Sequence, residues 1–362
     1  MLIASFFSPM FYRSFVYCLV YIFNFCVYFL VPISMIYFGD EFKILKLYYI
    51  SFLCIGSYAF LQFFASLFGV ILPFVLQQLV VARGQALAHE PSFFALYAIP
   101  FVVFFTAFTL FSSCYRKVRS SSWLVLIFSN LCLLVSTSTT AVFSYIVTFA
   151  VLFVFSSFTW VKKWIRGVKK RLLIIFFGFA SLFSFGAFIF KDLFHETFFK
   201  FFYYGFLTHV SFADRYQGML NSMTVFLENP LFGVGLGGVA PYLYQKQLYE
   251  GMAGMLVDVD RYSIEKLEPT NILTEILASL GIYGLIGFAV LVLVIWSHFK
   301  RTLQNPKLAQ EERATLLAFL ISIVVLLICL QINMGLFRVY TWVHIGIGMG
   351  YVLKVKGRLK EV

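Results

Sequence analysis

Charge is what this sequence has least of. Only 12% of its 362 residues are Asp, Glu, Lys or Arg, against 61% hydrophobic, and the mean hydropathy is +0.90. Soluble domains carry about one quarter charged residues. A water-soluble globular fold is therefore excluded, and the chain reads as an all-α polytopic membrane protein. Cysteine pairs of the C-x-x-C kind are missing as well. The six cysteines (Cys18, Cys26, Cys54, Cys114, Cys132, Cys329) lie in or beside apolar stretches, as small core residues do, which argues against a disulfide or metal framework. No small-residue cleavage site follows a short apolar core at the N-terminus, so the first apolar stretch is expected as a retained helix. A G-x-G-x-x-G match at Gly233, Gly235 and Gly238 lacks the preceding strand and βαβ surroundings that a dinucleotide site needs. Those glycines are expected instead to let the backbone turn tightly and pack closely against membrane helices.

What is present is a series of apolar stretches long enough to cross a bilayer, near 14–38, 46–68, 93–112, 121–137, 139–160, 171–190, 271–296, 314–333 and 336–353. Residues 44–82 are apolar almost throughout, and Gly69 and Pro73 break the run into one span and an interfacial segment. A crossing at 70–82 would instead add a span and move the N-terminus to the cytoplasm. The net charge of +12 is gathered in four clusters: Arg116, Lys117, Arg119; Lys162 to Arg171; Lys300, Arg301, Lys307, Arg313; and Lys354, Lys356, Arg358, Lys360. All four fall on one side of these spans, the positive-inside pattern. The basic excess thus sets topology and does not imply nucleic acid. The expectation is a single membrane domain over 1–362, with about nine to ten transmembrane helices and a large extracytoplasmic loop over 191–270. That loop is mildly acidic, too long for a connector and therefore a functional candidate, and its run of Phe and Tyr at 198–204 suits the membrane interface.

Within the loop, Tyr216, Met219, Leu220, Met223, Phe226 and Leu227 fall at helical spacing and predict one apolar stripe. Asp214 is the expected N-cap, Asn229-Pro230 the stop, and Arg215 then stands at a helix N-terminus that favours an anion. The adjacent Asp258-Val259-Asp260 spells D-x-D, which in soluble glycosyltransferases holds a metal and a nucleotide sugar. Nucleotide sugars are cytoplasmic, this pair is outside, and no metal is expected.

Three patches share the outer face: Arg83-Gly84-Gln85-Ala86-Leu87-Ala88-His89-Glu90-Pro91-Ser92, the stretch from Arg215 through Asn229-Pro230-Leu231-Phe232-Gly233-Val234-Gly235, and Thr270-Asn271 through Gly281, Gly284 and Gly287. Together they resemble the O-antigen polymerase and O-antigen ligase family. That family shows Arg-Gly followed by Glu-Pro-Ser before a helix, an Arg followed by Asn-Pro-Leu-x-Gly-x-Gly, and an Asn opening a helix with a Gly-x-x-Gly tail. The resemblance covers roughly 60–290 and implies a membrane enzyme that transfers glycans from undecaprenyl pyrophosphate. Ligases of the family usually carry His before the Asn; Thr270 stands there, which favours a polymerase of lipid-linked repeat units. The Ser136–Thr140 turn lacks an Arg that the family often has there.

The residue chemistry is compatible with such a transfer. A leaving diphosphate needs its charge neutralised, and the planar arginine fork binds phosphate oxygens bidentately. Arg83, Arg215 and Arg338 are the outward candidates beside membrane segments; for Arg338, snorkelling to a lipid headgroup is an equal reading. Glu90 is the first choice for deprotonating the acceptor hydroxyl, since Pro91 holds it extended at a helix start, where a carboxylate is also favoured by the dipole alone. His89 and His209 are the next candidates, Asn271 is expected to bind substrate, and Glu275, one turn later, to line the same cavity or pair with an arginine. No cofactor is expected. Implied partners are the undecaprenyl-pyrophosphate-linked glycan, membrane lipids and a chain-length regulator protein. The implied location is the bacterial cytoplasmic (inner) membrane with the site outside. Transfer of glycan to lipid A–core or protein, as by a ligase, is the alternative. A transporter or flippase is the rival of another class, disfavoured by the lack of an internal repeat and the few charges within the spans.

Overall fold

Lipid offers no hydrogen-bond partners, so long apolar runs satisfy their backbone by forming helices. The computed structural model describes residues 1–73, 84–88, 91–112, 120–136, 138–157, 210–249, 269–332 and 338–361, and every regular element among them is helical. In order these are α1 (Leu2–Phe6), α2 (Phe11–Phe25), a π-helical turn (Cys26–Leu30), α3 (Val31–Phe38), α4 (Glu41–Leu67), α5 (Pro91–Ser112), α6 (Ser120–Val135), α7 (Thr139–Ser157), α8 (Val210–Glu228), α9 (Val239–Tyr249), α10 (Ile272–Leu303), α11 (Gln310–Cys329) and α12 (Val339–Glu361).

Among the described residues, 6 helices are long and apolar enough to cross a membrane: Phe11–Phe38, Glu41–Leu67, Pro91–Ser112, Thr140–Ser157, Ile272–Leu303 and Gln310–Cys329. The stretch expected to cross at 121–137 contains the shorter apolar helix Leu124–Val135, and the one at 336–353 coincides with α12. The span expected at 171–190, the Lys162–Arg171 cluster, Cys114 and much of the 191–270 loop lie outside the described residues. The five other cysteines are all free thiols.

Two compact units divide the chain. The first comprises Met1–Leu30, Tyr204–Ser297 and Leu330–Trp342, and the second Val31–Tyr203, His298–Cys329 and Val343–Val362. In the second, α5 and α11 pack along each other and are buried around almost their whole circumference. Phe104 meets Phe319 at 4.7 Å and Phe52 stacks on Phe101 at 4.2 Å. A Cβ on Gly56 would lie 2.6 Å from Cys132 Sγ, so glycine there lets α4 and α6 approach. A polar chain joins three helices: Tyr48 Oη to His344 Nδ1 at 3.0 Å, His344 Nε2 to Ser322 Oγ at 2.7 Å, and Ser322 Oγ donating to the Phe319 carbonyl at 2.9 Å. Neutral imidazole with its proton on Nε2 satisfies every member of it.

The ends of the second unit's helices are tied by charge. Asp40 caps α4, its Oδ1 accepting from Lys43 N at 3.2 Å and Phe42 N at 3.0 Å, and these bonds, that from Lys43 foremost, hold its carboxyl below the usual range. Buried Glu41 pairs with Lys354 at 2.6 Å and Arg358 at 2.9 Å, while Arg358 also reaches Glu312 at 2.8 Å. Removing the carboxylate leaves Lys354 with a charge that the fold has largely taken from water. Glu41→Ala should therefore cost about 3 kcal/mol, the low end for a broken buried pair because Arg358 keeps Glu312. Thermal unfolding of the purified protein in detergent checks this; an unchanged midpoint would show the pairs to be incidental.

Candidate functional site

The first unit is built around a glycine turn. Helix α8 ends at Glu228, and Pro230, which lacks an N–H, prevents its continuation. Gly233, Gly235 and Gly237 then take φ of 66°, 87° and 66°, a region costly for other residues. A Cβ at Gly233 would lie 2.5 Å from the Ala278 carbonyl oxygen, and one at Gly235 would lie 2.0 Å from Ser14 Oγ. The expectation of tight turning and close packing thus holds for Gly233 and Gly235. Gly237 was not anticipated, and Gly238 has no positive φ.

The turn packs against a break in α10, which the sequence reads as continuous over 271–296. At Gly281 (φ 65°, ψ −161°) the helical path is interrupted. The Ala278 and Ser279 carbonyls accept from Val234 N at 2.8 Å and Gly235 N at 2.9 Å, and Ile282 N donates to the Pro230 carbonyl at 2.9 Å. From the other side, the N-terminal segment holds the same turn. Ser8 Oγ donates to the Val234 carbonyl, Arg13 Nε donates to the Gly237 carbonyl at 2.7 Å, and Phe7 stacks on Phe232 at 4.7 Å.

At the head of α10 the second and third sequence patches meet. Thr270 Oγ1 donates to the Arg215 carbonyl at 2.5 Å. Asn271 caps α10, its Oδ1 accepting from Leu273 N at 2.9 Å and Thr274 N at 3.2 Å, while its Nδ2 donates to the Gln331 carbonyl at 2.7 Å. Ile272 N adds a bond to the Leu330 carbonyl at 3.1 Å. Glu275, on the same helix face as Asn271, is buried and accepts from Tyr21 Oη at 3.4 Å. Arg338 is half-buried and its carbonyl accepts from Thr341 N at 3.0 Å as α12 begins. An apolar cavity of about 530 Å³ runs beside this assembly, lined among others by Tyr21, Phe232, Ile276, Leu280, Tyr283 and Leu291.

Two local expectations are corrected. The chain is already helical at Val210, the first described residue of α8, so Asp214 is no N-cap and Arg215 lies within the helix, past its first turn. Val210 to Ala213 contain no residue that stops a helix, and the helix extends upstream of the local capping signal. The apolar stripe faces the other way from a soluble helix. Tyr216, Leu220, Met223 and Leu227 are exposed, while Gly218, Ser222 and Val225 form the buried face. Small residues allow close helix contact, and in a membrane protein apolar side chains can face lipid.

Arg83, His89, Glu90 and His209 lie outside the described residues, as does the Asp258–Asp260 pair. Beside Arg83, Gly84 N donates to the Val135 carbonyl at 3.0 Å, and Gln62 braces the turn by accepting from Gln85 N at 3.2 Å and donating to the Ala86 carbonyl at 2.8 Å. Pro91 opens α5, as its position after Glu90 predicts. Sequence reasoning missed Ser8, Arg13 and Tyr21; their polar groups in an otherwise apolar N-terminal stretch were the available signal.

The clamp makes a sharp test. Gly235→Ala adds both an unfavourable φ and a collision with Ser14, and should cost about 2–3 kcal/mol. Adding Ser14→Gly should return part of the loss, the collision with Ser14 but neither the φ strain nor the 2.7 Å approach to Ser8 Oγ. Equal thermal midpoints for wild type and Gly235→Ala would mean that the turn is not clamped against α2.

The family model described as O-Antigen ligase matches residues 123–289. No curated protein and no solved structure matches the chain. The matched stretch contains Arg215, the Asn229–Gly235 turn, Asn271 and Glu275, and the match supports a likeness of this part of the chain to the O-antigen ligase/polymerase family.

Proposed function

We propose that the protein polymerises undecaprenyl-pyrophosphate-linked oligosaccharide repeat units into O-antigen or a related surface polysaccharide, at the outer face of the bacterial cytoplasmic membrane. The observation that carries the reading is the junction at the head of α10. There the Arg215 backbone, Thr270, Asn271 and buried Glu275 are joined beside an apolar cavity suited to a lipid chain. In this reading the acceptor hydroxyl oxygen attacks the anomeric carbon of the donor glycan as the bond from that carbon to the diphosphate oxygen breaks. The proton passes to the Glu90 carboxylate, with His89 and His209 as the alternative bases. The departing polyprenyl diphosphate is matched in charge by Arg215, with Arg83 and Arg338, and such fixed cations at a developing charge lower the barrier by several kcal/mol. Asn271 and Glu275 hold the glycan side of the cavity. Nine to ten spans, an extracytoplasmic 191–270 loop and a chain-length regulator belong to the same proposal.

Thr270 supports the polymerase over the ligase. Its hydroxyl is donated to the Arg215 carbonyl, so this position ties the chain together where ligases of the family usually carry a histidine. The description of the matching family as a ligase favours the second reading, transfer to lipid A–core or protein. The glycan ladder of cells lacking the protein separates them: single repeat units left attached indicate a lost polymerase, and none attached a lost ligase.

Arg215→Ala should abolish elongation at normal membrane abundance, and Arg215→Lys should restore only part, because an ammonium lacks the bidentate fork. Polymer of wild-type length from the alanine variant would remove Arg215 from the site. For the base, Glu90→Gln keeps size and hydrogen bonding but not basicity, and turnover with synthetic lipid-linked repeat units should fall by roughly two to four orders of magnitude. Near-normal turnover of the Gln variant, beside a poorly folded Glu90→Ala, would make Glu90 structural.

A further inference from the structure

Arg13 lies at the start of α2, outside the three sequence patches and outside the matched stretch. Two contacts fix it. Its Nε donates to the Gly237 carbonyl at 2.7 Å, and its guanidinium carbon stands 5.3 Å over the Tyr17 ring. These contacts use one edge and one face of the group. Among the described residues Nη1 and Nη2 make no hydrogen bond or ion pair, and the side chain is exposed. A latch to a single carbonyl needs only one N–H. Here the remaining donors are held outward by a side chain already immobilised through its bond and ring contact, so less freedom is lost when an anion arrives.

What lies below Arg13 narrows the ligand. Arg13, Tyr17, Tyr21 and Phe25 follow one another at four-residue spacing, which makes them neighbours along one ridge of α2. Tyr21 and Phe25 line the apolar cavity, and Met1 and Ala4 of the same N-terminal segment line it too. Eight residues of helix separate Arg13 from Tyr21, about 12 Å at 1.5 Å per residue. A fixed cation at the top of a ridge that leads down to an apolar cavity matches one kind of molecule, an amphiphile with a phosphate ester at its head and an apolar chain behind it. A planar fork with free terminal nitrogens is the side-chain geometry that binds phosphate oxygens in pairs.

We propose that Arg13 binds the phosphate oxygens of such an amphiphile, making the N-terminal segment part of the ligand site and not only a brace for the glycine turn. If the proposed function holds, the amphiphile is the lipid-diphosphate donor; a phospholipid headgroup offers the same chemistry. The full-length protein, purified in a phosphate-free detergent, is treated with the arginine reagent phenylglyoxal, and modification of Arg13 is followed by peptide mass spectrometry. Donor or phosphatidylglycerol should slow that modification about tenfold, as expected for charge-assisted paired bonds, and whichever protects identifies the source. Inorganic pyrophosphate, which has no chain for the cavity, should protect less. Modification at one rate with all three overturns the proposal.

A second measurement uses Arg13→Gln, whose amide can still donate to the Gly237 carbonyl. Where the donor is the ligand, its KM should rise about tenfold with kcat within about twofold. Where only phosphatidylglycerol protects, KM should stay unchanged and thermal stabilisation by that lipid should disappear in the variant. Loss of neither property in a folded variant also overturns the proposal. The labelling arm needs only the wild-type protein and no turnover, so it stands if the variant fails to fold or if no elongation is found.

Discussion

A membrane helix that breaks must find partners for the backbone groups it releases, because the lipid around it supplies none. Helix α10 breaks at Gly281, and the partners come from the glycine turn: Val234 and Gly235 donate to the Ala278 and Ser279 carbonyls, and Pro230 accepts from Ile282. This exchange explains several features that look unrelated in the sequence. Glycine is needed at 233 because the turn's backbone lies against the α10 carbonyls, and at 281 because a Cβ there would stand 2.2 Å from the Leu231 carbonyl oxygen. The turn cannot sit there without a second wall, and α1 and α2 provide it through Ser8, Arg13 and the Phe7–Phe232 stack.

The break also shapes the site. Above Gly281, the first part of α10 is a short helical piece capped by Asn271, fastened by that cap to the 330–331 backbone and by Thr270 to Arg215. Glu275 projects from this piece and meets Tyr21 of α2. Segments far apart in sequence are thereby fixed with respect to one another by backbone bonds, which hold position better than pairs of long side chains do. The proposed transfer from a lipid-linked donor requires that a charged head and an apolar chain be kept in register. Here the junction and the apolar cavity are parts of one unit and share Tyr21 and the α10 backbone around Ile276.

The second unit is held differently. Its helices pack through aromatic and aliphatic faces with a small number of satisfied polar links, the Tyr48–His344–Ser322 chain within and the Glu41, Lys354, Arg358 and Glu312 cluster at the helix ends. It shows no broken helix among the described residues, and its positive-φ positions there are Gly69, at φ 72° just after α4, and Ala86, the one that is not glycine, at φ 51° in the turn that follows Gly84. That turn is braced by Gln62 from within α4, so the first sequence patch also rests on a backbone arrangement that a neighbouring helix secures.

Composition and the length of the apolar runs determined the all-helical membrane class, since continuous apolar stretches of about twenty residues satisfy their backbone in lipid as helices and lack the alternation of barrel strands. Local pattern determined the α5 start at Pro91, the stop of α8 before Pro230, and the special role of Gly233 and Gly235, because proline and glycine act through their own backbone. It misjudged the start of α8 and the direction of its apolar stripe, since both depend on what the helix packs against: Gly218, Ser222 and Val225 face the unit while Tyr216 and Leu220 are left exposed. The break at Gly281 and the convergence of Arg215, Thr270, Asn271 and Glu275 with the N-terminal segment were decided only in the tertiary structure. A glycine within an apolar run is compatible with an unbroken helix, and the hydrogen bonds that make a break tolerable come from residues about fifty positions earlier in the chain.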